Sequence, residues 1–460
     1  MADTLDSHRQ DTRQGQSSPY KSILYFILAL AFVRGMIYAT VVPPWQAPDE
    51  PGQFERVRAA LTAAEWVSTS KNPPDWYGEL SRSLFTFNFW DFLDDYRPTY
   101  SPDTSLSSYI VLYQEAYNGL YGNRLTYAII GWPLFLARHQ DIALQLYLVR
   151  INTVLMNIGI ILLAYLITQT IFPHDTFLIL GVPILILFNP QHSHLLSTVN
   201  NGNLAELLAT AALYFIVVGI IKGFSWLNIL AILGFTLAAM WTKATAYFLP
   251  FAISSIGLFY LWRYRGKWRW LLPTSLILIG LVYFFIPTRL VQLIYSAWIV
   301  LNTGDFYLDP IVPIDLFRSY WAMPGWMILR IDSFWYWILL ICCTPAIVGL
   351  IILLVTKWRL LTSKRFQPQI RALAVLAVAT VVAIGVLLAW NAITNSIVYR
   401  QGRSIYPVVV PISIFLMLGW RQFIPYRWRG VSLLGITLTL FLFDTMVLFN
   451  YIIPLFYSRY

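Results

Sequence analysis

The chain has 460 residues, 58% of them hydrophobic and only 12% charged, with a formal net charge of +10. Soluble globular chains carry about twice that charged fraction, so a water-soluble domain is excluded. The bases lie dispersed at the ends of apolar runs beside Trp and Tyr, which excludes a nucleic-acid surface and makes the charge a topology signal.

Apolar runs of about 20 residues recur along the chain, each long enough to cross a bilayer. Alternating strand patterns are absent, so helix is the expected spanning structure. A polar tail at 1–21, rich in Ser, Gln, Asp and Arg, is expected to be disordered. Spans are predicted at 22–42, 143–170, 176–199, 203–221, 225–241, 244–262, 270–287, 334–356, 372–391, 404–420 and 431–453. That is about eleven, with eleven to thirteen admissible, and it makes 22–460 one all-α polytopic bundle. The first span lacks a small-residue cleavage site and reads as a retained helix. Loops 262–269, 357–371 and 421–430 carry Lys and Arg, which places them and the N-terminus in the cytoplasm and the chain in the cytoplasmic membrane.

Two segments break the run of short loops. The first, 43–142, holds more than half of the 22 acids and aromatic clusters such as Phe85 to Trp90. Interfacial helices with rings at headgroup depth are expected there. Its apolar stretch 125–137 reads as re-entrant, because a single crossing would turn the basic loops outward. The second, 288–333, contains Asp305, Asp309, Asp315, Arg318 and Arg330. Cys342 and Cys343 are neighbours in a span; they read as small core residues, with no metal-binding spacing nearby.

Just past the first span runs Pro43-Pro44-Trp45-Gln46-Ala47-Pro48-Asp49-Glu50-Pro51. Its four prolines are expected to hold the segment extended, with two carboxylates at the lipid surface. Further along come residues that lipid should exclude, at about 2.5–3.5 kcal/mol per charge on insertion scales. They are Arg150 with Asn152; Asn189 to His194, including His192 and His194; Asn200 to Asn203; Lys243; and Tyr399 to Pro407, including Arg400, Gln401, Arg403 and Tyr406. The topology drawn from the basic loops puts all of them, with Asp49 and Glu50, at outer span ends. A single outward-facing site is the expectation. Its cations suit a phosphate or diphosphate, for which guanidinium offers a planar fork. Asp49 or Glu50 could serve as general base on an acceptor hydroxyl, while the cations stabilise charge on a departing lipid phosphate. His192 and His194 read as ligands or proton carriers, or as interface residues hydrogen-bonded to loop carbonyls. Glu206 and Asp444 lie inside spans and read as candidate functional residues; Glu206, barely a turn inside, reads alternatively as the cap of its helix, and Asp444 has no assigned place.

The Pro-Asp-Glu-Pro motif, the Arg150–Asn152 pair, the Asn-rich 200–204 segment, Lys243 and Gln401-Gly402-Arg403…Pro407 resemble a bacterial membrane family, the domain-of-unknown-function 2142 group. That group is similar in layout to the GT-C superfamily of polyprenyl-phosphate-sugar glycosyltransferases. The resemblance implies an outward site, Asp49 as catalytic acid/base with Glu50 as runner-up, and Arg403 as phosphate binder. It also implies a polyprenyl-phosphate sugar donor, with a glycan, lipid or protein as acceptor, among membrane lipids and without nucleic acid. The chain departs from the pattern at Asn203, where the family tends to show an acid, and at Ser404, where it often shows Tyr, with Tyr406 close by. Some GT-C relatives hold a divalent metal ion through several carboxylates; here Asp49 and Glu50 lack an assured third partner, so no cofactor is fixed and a divalent metal ion stays open. A lipid-linked-substrate transporter or flippase and an envelope-assembly scaffold are the rival classes.

Overall fold

A computed structural model describes residues 19–66, 76–89, 124–263, 309–327, 329–361, 367–394 and 400–457, with isolated positions 295, 298 and 302. All regular structure among the described residues is helical. Seven of these helices are long and apolar enough to cross a membrane: Lys21–Val41, Ile142–Ile171, Asn201–Lys222, Ser333–Thr356, Gln367–Ala392, Gly402–Trp420 and Tyr426–Tyr457. The expected spans 225–241 and 244–262 form the shorter apolar helices Trp226–Thr242 and Ala244–Gly257. Span 270–287, the tail to residue 18, the basic stretch from 264 and most of 288–308 lie outside the described residues.

The expected span 176–199 is present as a bent pair of helices that together are long and apolar enough for a broken span or a re-entrant loop. It breaks into Thr176–Leu187 and Pro190–Leu196, bent by 63°. The cause is local. Pro190 has no N–H and disfavours helical backbone at its predecessor. Asn189 accordingly turns extended, and its side-chain oxygen accepts from His192 N at 3.0 Å, capping the new helix. The Leu187 carbonyl left at the break accepts from the Arg34 guanidinium and from Ser193 Oγ. Arg34 is in turn paired with Asp444, Nε to Oδ2 at 2.6 Å, and Tyr38 donates to the same carboxylate at 2.7 Å. Asp444 thus has its place, sharing a buried ion pair at the break.

Helix starts follow short polar caps. Asp141, Asp175, Asn200 and Ser225 each accept from a backbone N–H of the helix they precede. Asn200, and not Glu206, caps Asn201–Lys222.

The large loop folds onto the bundle as helices Glu50–Trp66, Trp76–Thr86, Arg124–Gly131 and Leu134–Ala137. The last two, at eight and four residues, are far too short to cross lipid, so 125–137 adds no crossing. A second core lies beneath this cap, built from Trp45, Phe54, Val57, Leu84, Phe89, Ile130 and Val149 among others. Phe89 is buried there edge-on to Trp326, at 5.7 Å between ring centres. Cys343 is buried, whereas Cys342 is exposed on the bundle surface, which corrects its reading as a core residue.

Side-chain contacts define the two ends of the bundle. At one, Glu50 meets Val199, Lys243 meets Asn200, Arg403 meets Asp49 and Ser319 meets Gly402. At the other, Asp175 receives Arg421 at 2.6 Å and Arg429 at 3.3 Å.

Candidate functional site

The Pro43–Asp49 segment is not the extended strut its prolines suggest. Gln46 N bonds to Pro43 O and Glu50 N to Ala47 O, so the chain makes two successive turns. Trp45 (φ 74) and Asp49 (φ 64) occupy the left-handed region. Such positive-φ conformations cost side-chain-bearing residues about 1–3 kcal/mol, and Asp tolerates them better than most. The turn at Asp49 sends the two adjacent carboxylates to different destinations.

Glu50 goes inward. Its Oε1 accepts from Arg150 Nε at 2.8 Å and Val199 N at 3.1 Å, and its Oε2 from Arg150 Nη2 at 2.5 Å and Trp45 N at 3.0 Å. Arg150 spends its remaining N–H groups on the carbonyls of Ala39, Val42 and Pro43, at 2.8, 2.6 and 3.0 Å. All five guanidinium donors and both carboxylate oxygens are therefore committed, with both side chains fully buried. The pair clamps the end of the first helix to the proline loop and to Val199. This corrects two expectations: Glu50 has no acceptor capacity left to act as a base, and Arg150 has no donor left for a phosphate.

Asp49 goes outward. Its carboxylate, 48% exposed, meets Arg403 Nη2 at 2.7 Å, across 354 residues of sequence. Arg403 lines a small pocket with Asn200, Gly202, Asn203, Glu206, Lys243, Thr245, Tyr406 and Pro407. The pocket is small, with a cavity volume of about 20 Å³, and is open to the surroundings. Arg403 Nη1 is buried with no hydrogen-bond partner among the described residues. Lys243, at the junction after Trp226–Thr242, bonds to Asn200 Oδ1 at 3.3 Å. Burial, reinforced by the neighbouring Arg403 charge and opposed by Asp49, lowers the Lys243 ammonium pKa to about 8.

Gly402 explains how Arg403 arrives there. A side chain at 402 would collide with the Tyr320 backbone and come 2.7 Å from the Leu316 carbonyl oxygen. Glycine alone lets this turn press against Ile311–Trp321, where Gly402 N donates to Ser319 Oγ at 2.7 Å. Tyr406 lines the pocket and donates to Tyr320 O at 2.9 Å.

The other expected residues divide. Asn203 lines the pocket, but its side-chain nitrogen is held by the Leu195 and Thr198 carbonyls at 3.1 and 2.8 Å. Arg400 pairs with Asp309 at 3.0 Å. Gln401 precedes the turn, its side-chain oxygen buried without a hydrogen bond among the described residues. His192 and His194 are fully buried and outside the pocket lining; His192 Nε2 lies 2.6 Å from Oε1 of the pocket-lining Glu206. Glu206 itself faces the pocket, a role that its alternative reading as a helix cap missed. The available signal was an acid one turn inside an apolar helix that begins at the site. Among the described residues no three His, Cys, Asp or Glu side chains gather to hold a metal. Asp49 with a saturated Glu50 does not fit one.

Comparison of the chain with family models, curated proteins and solved structures returns no match.

Proposed function

We propose that the protein is a membrane-embedded glycosyltransferase of the GT-C type. It moves a sugar from a polyprenyl-phosphate donor to an acceptor on the outer face of the cytoplasmic membrane. The observation that carries this reading is the 2.7 Å meeting of Asp49 and Arg403 at the mouth of a pocket that also holds Lys243. A carboxylate able to take a proton sits beside two cations able to take a phosphate.

In the proposed reaction the acceptor hydroxyl gives its proton to Asp49 as its oxygen bonds to the anomeric carbon. The anomeric C–O bond to phosphate breaks, and the lipid phosphate leaves with the electron pair. Arg403 and Lys243 stabilise the charge that gathers on it. In the resting arrangement Asp49 occupies one edge of Arg403, so an arriving phosphate competes with it for the guanidinium.

One observation favours transport as a second reading: the broken helix at Leu187–Pro190, a feature of transporter binding sites. Only one such break occurs among the described residues, where paired breaks in two related halves would be expected. Protein in nanodiscs with a labelled polyprenyl-phosphate sugar tests the choice. General-base catalysis is worth about 10²–10⁴ in rate, so Asp49→Asn should lose at least a hundredfold in turnover, and Arg403→Ala should weaken donor binding. Turnover that survives both substitutions removes the assignment. Movement of intact donor across the bilayer without transfer selects the transporter, and docking of envelope proteins with Asp49 dispensable selects the scaffold.

A further inference from the structure

Among the described residues Glu206 is the only acid lining the pocket, and its surroundings are specific. Oε1 is held by His192 Nε2 at 2.6 Å. The histidine is fixed on every side: its backbone N is bonded to Asn189, its ring is edge-on to Tyr406 at 5.1 Å between centres, and it has no solvent exposure. No Lys or Arg pairs with Glu206, and its second oxygen has no protein donor among the described residues. A carboxyl group that is 2% exposed and bonded through one oxygen only is costly to keep. A hydrogen-bond donor brought by a ligand would offset that cost.

The same geometry argues against proton transfer. A relay through His192 would have to leave by Nδ1, which is buried and has no partner among the described residues. The dyad can hold a hydrogen bond but has no onward path for a proton. The pocket lining thus combines two cations, Lys243 and Arg403, with a buried acceptor. A phosphorylated polyol matches that combination, its anion on the cations and a hydroxyl on the acid. Asn203, in the same wall, has its amide nitrogen already committed to two carbonyls.

We propose that Glu206, oriented by His192, is the sugar-recognising residue of this pocket, accepting a hydrogen bond from a hydroxyl of the hexose whose phosphate rests on Lys243 and Arg403. The placing of the phosphate rests on the glycosyl-transfer reading; the acceptor role of Glu206 is additional to it.

The test compares methyl phosphate with a panel of hexose 1-phosphates as ligands for the full-length protein in detergent, by calorimetry. Wild type should bind at least one hexose phosphate about tenfold tighter than methyl phosphate, the scale of a hydrogen bond to a charged group. Glu206→Gln should abolish that margin without loss of methyl phosphate affinity, because with the amide oxygen kept toward His192 the pocket-facing oxygen becomes an NH2 group, which cannot accept a hydrogen bond. Glu206→Met, which removes both oxygens, serves as the second variant, with thermal unfolding as the control for folding. Arg403→Ala should weaken both ligands alike. The proposal is overturned if wild type shows no margin for any hexose, or if Glu206 variants weaken both ligands equally or neither. Loss of methyl phosphate binding in wild type would remove the phosphate site itself, and this inference with it.

Discussion

At the level of single residues, the site turns on what separates Asp49 from Glu50. One is a half-exposed carboxylate at a pocket mouth; the other is sealed into a saturated buried pair. Removing one partner of such a pair strands a buried charge at a cost of about 3–5 kcal/mol. Arg150→Gln should therefore lower the unfolding temperature sharply and reduce the yield of folded protein. Arg403→Gln should leave the unfolding temperature close to wild type and remove phosphate binding; thermal unfolding in detergent with a ligand titration separates the two. Asp49 competes with phosphate for Arg403, so Asp49→Asn should bind undecaprenyl phosphate several-fold tighter than wild type while failing to turn over. Weaker binding by that variant would mean that Asp49 contacts the ligand favourably. Lys243 adds a pH signature. Its lowered pKa of about 8 means the cation is present below pH 8 and lost above it. Affinity for a phosphodiester, whose own charge is constant there, should fall about tenfold per pH unit above 8. Lys243→Arg, charged throughout, should flatten that profile, and an unchanged slope would remove Lys243 from the site.

At the level of elements, close helix approach is set by missing side chains. Ser333–Leu361 and Val409–Trp420 cross where Gly419 faces Gly349 and Ala346, and a Cβ at either glycine would collide with a backbone carbonyl of the other helix. Small residues at such crossings let backbones pack directly in lipid. Gly419→Leu should therefore disrupt assembly, read as aggregation on size exclusion and loss of the unfolding transition, whereas Gly435→Leu, on a helix where nothing lies within contact of the added carbon, should behave as wild type. The helical elements were legible in the sequence because apolar length alone specifies them. The break before Pro190 was not taken from the sequence, although Asn189-Pro190 carries its cause: a residue biased away from helix followed by one with no N–H. Arg34 and Asp444 were missed as partners for a related reason. Each is a lone charge in an apolar span, and only the fold shows that the first and last spans bring opposite signs together. The acceptor in the pocket lining was hidden likewise, since Glu206 gains meaning only once His192 is turned toward it by the bend.

For the whole molecule, what the sequence conveyed was an end and not a pocket. Polar residues from six separated stretches were expected at one side of the membrane, and Asp49, Lys243, Arg403, Asn203 and Tyr406 do gather at one end of the bundle. Which of them face the cavity depends on side-chain directions that periodicity does not encode, so Arg150 and Glu50, equally polar and equally placed along the chain, became the clamp beneath it. The opposite end is marked by Asp175 between Arg421 and Arg429, and the loops there are basic. Positive charge is retained on the cytoplasmic side during insertion, so the clamp end and its pocket should face outward. Single cysteines at His139, exposed near the site end, and at Arg427, exposed near the basic end, test this in a background with Cys342→Ala and Cys343→Ala. In intact cells a membrane-impermeant maleimide should label the His139→Cys protein, and the Arg427→Cys protein should react only after permeabilisation. The reverse pattern would put the pocket in the cytoplasm, where a donor carrying its sugar on the outer leaflet could not reach Asp49.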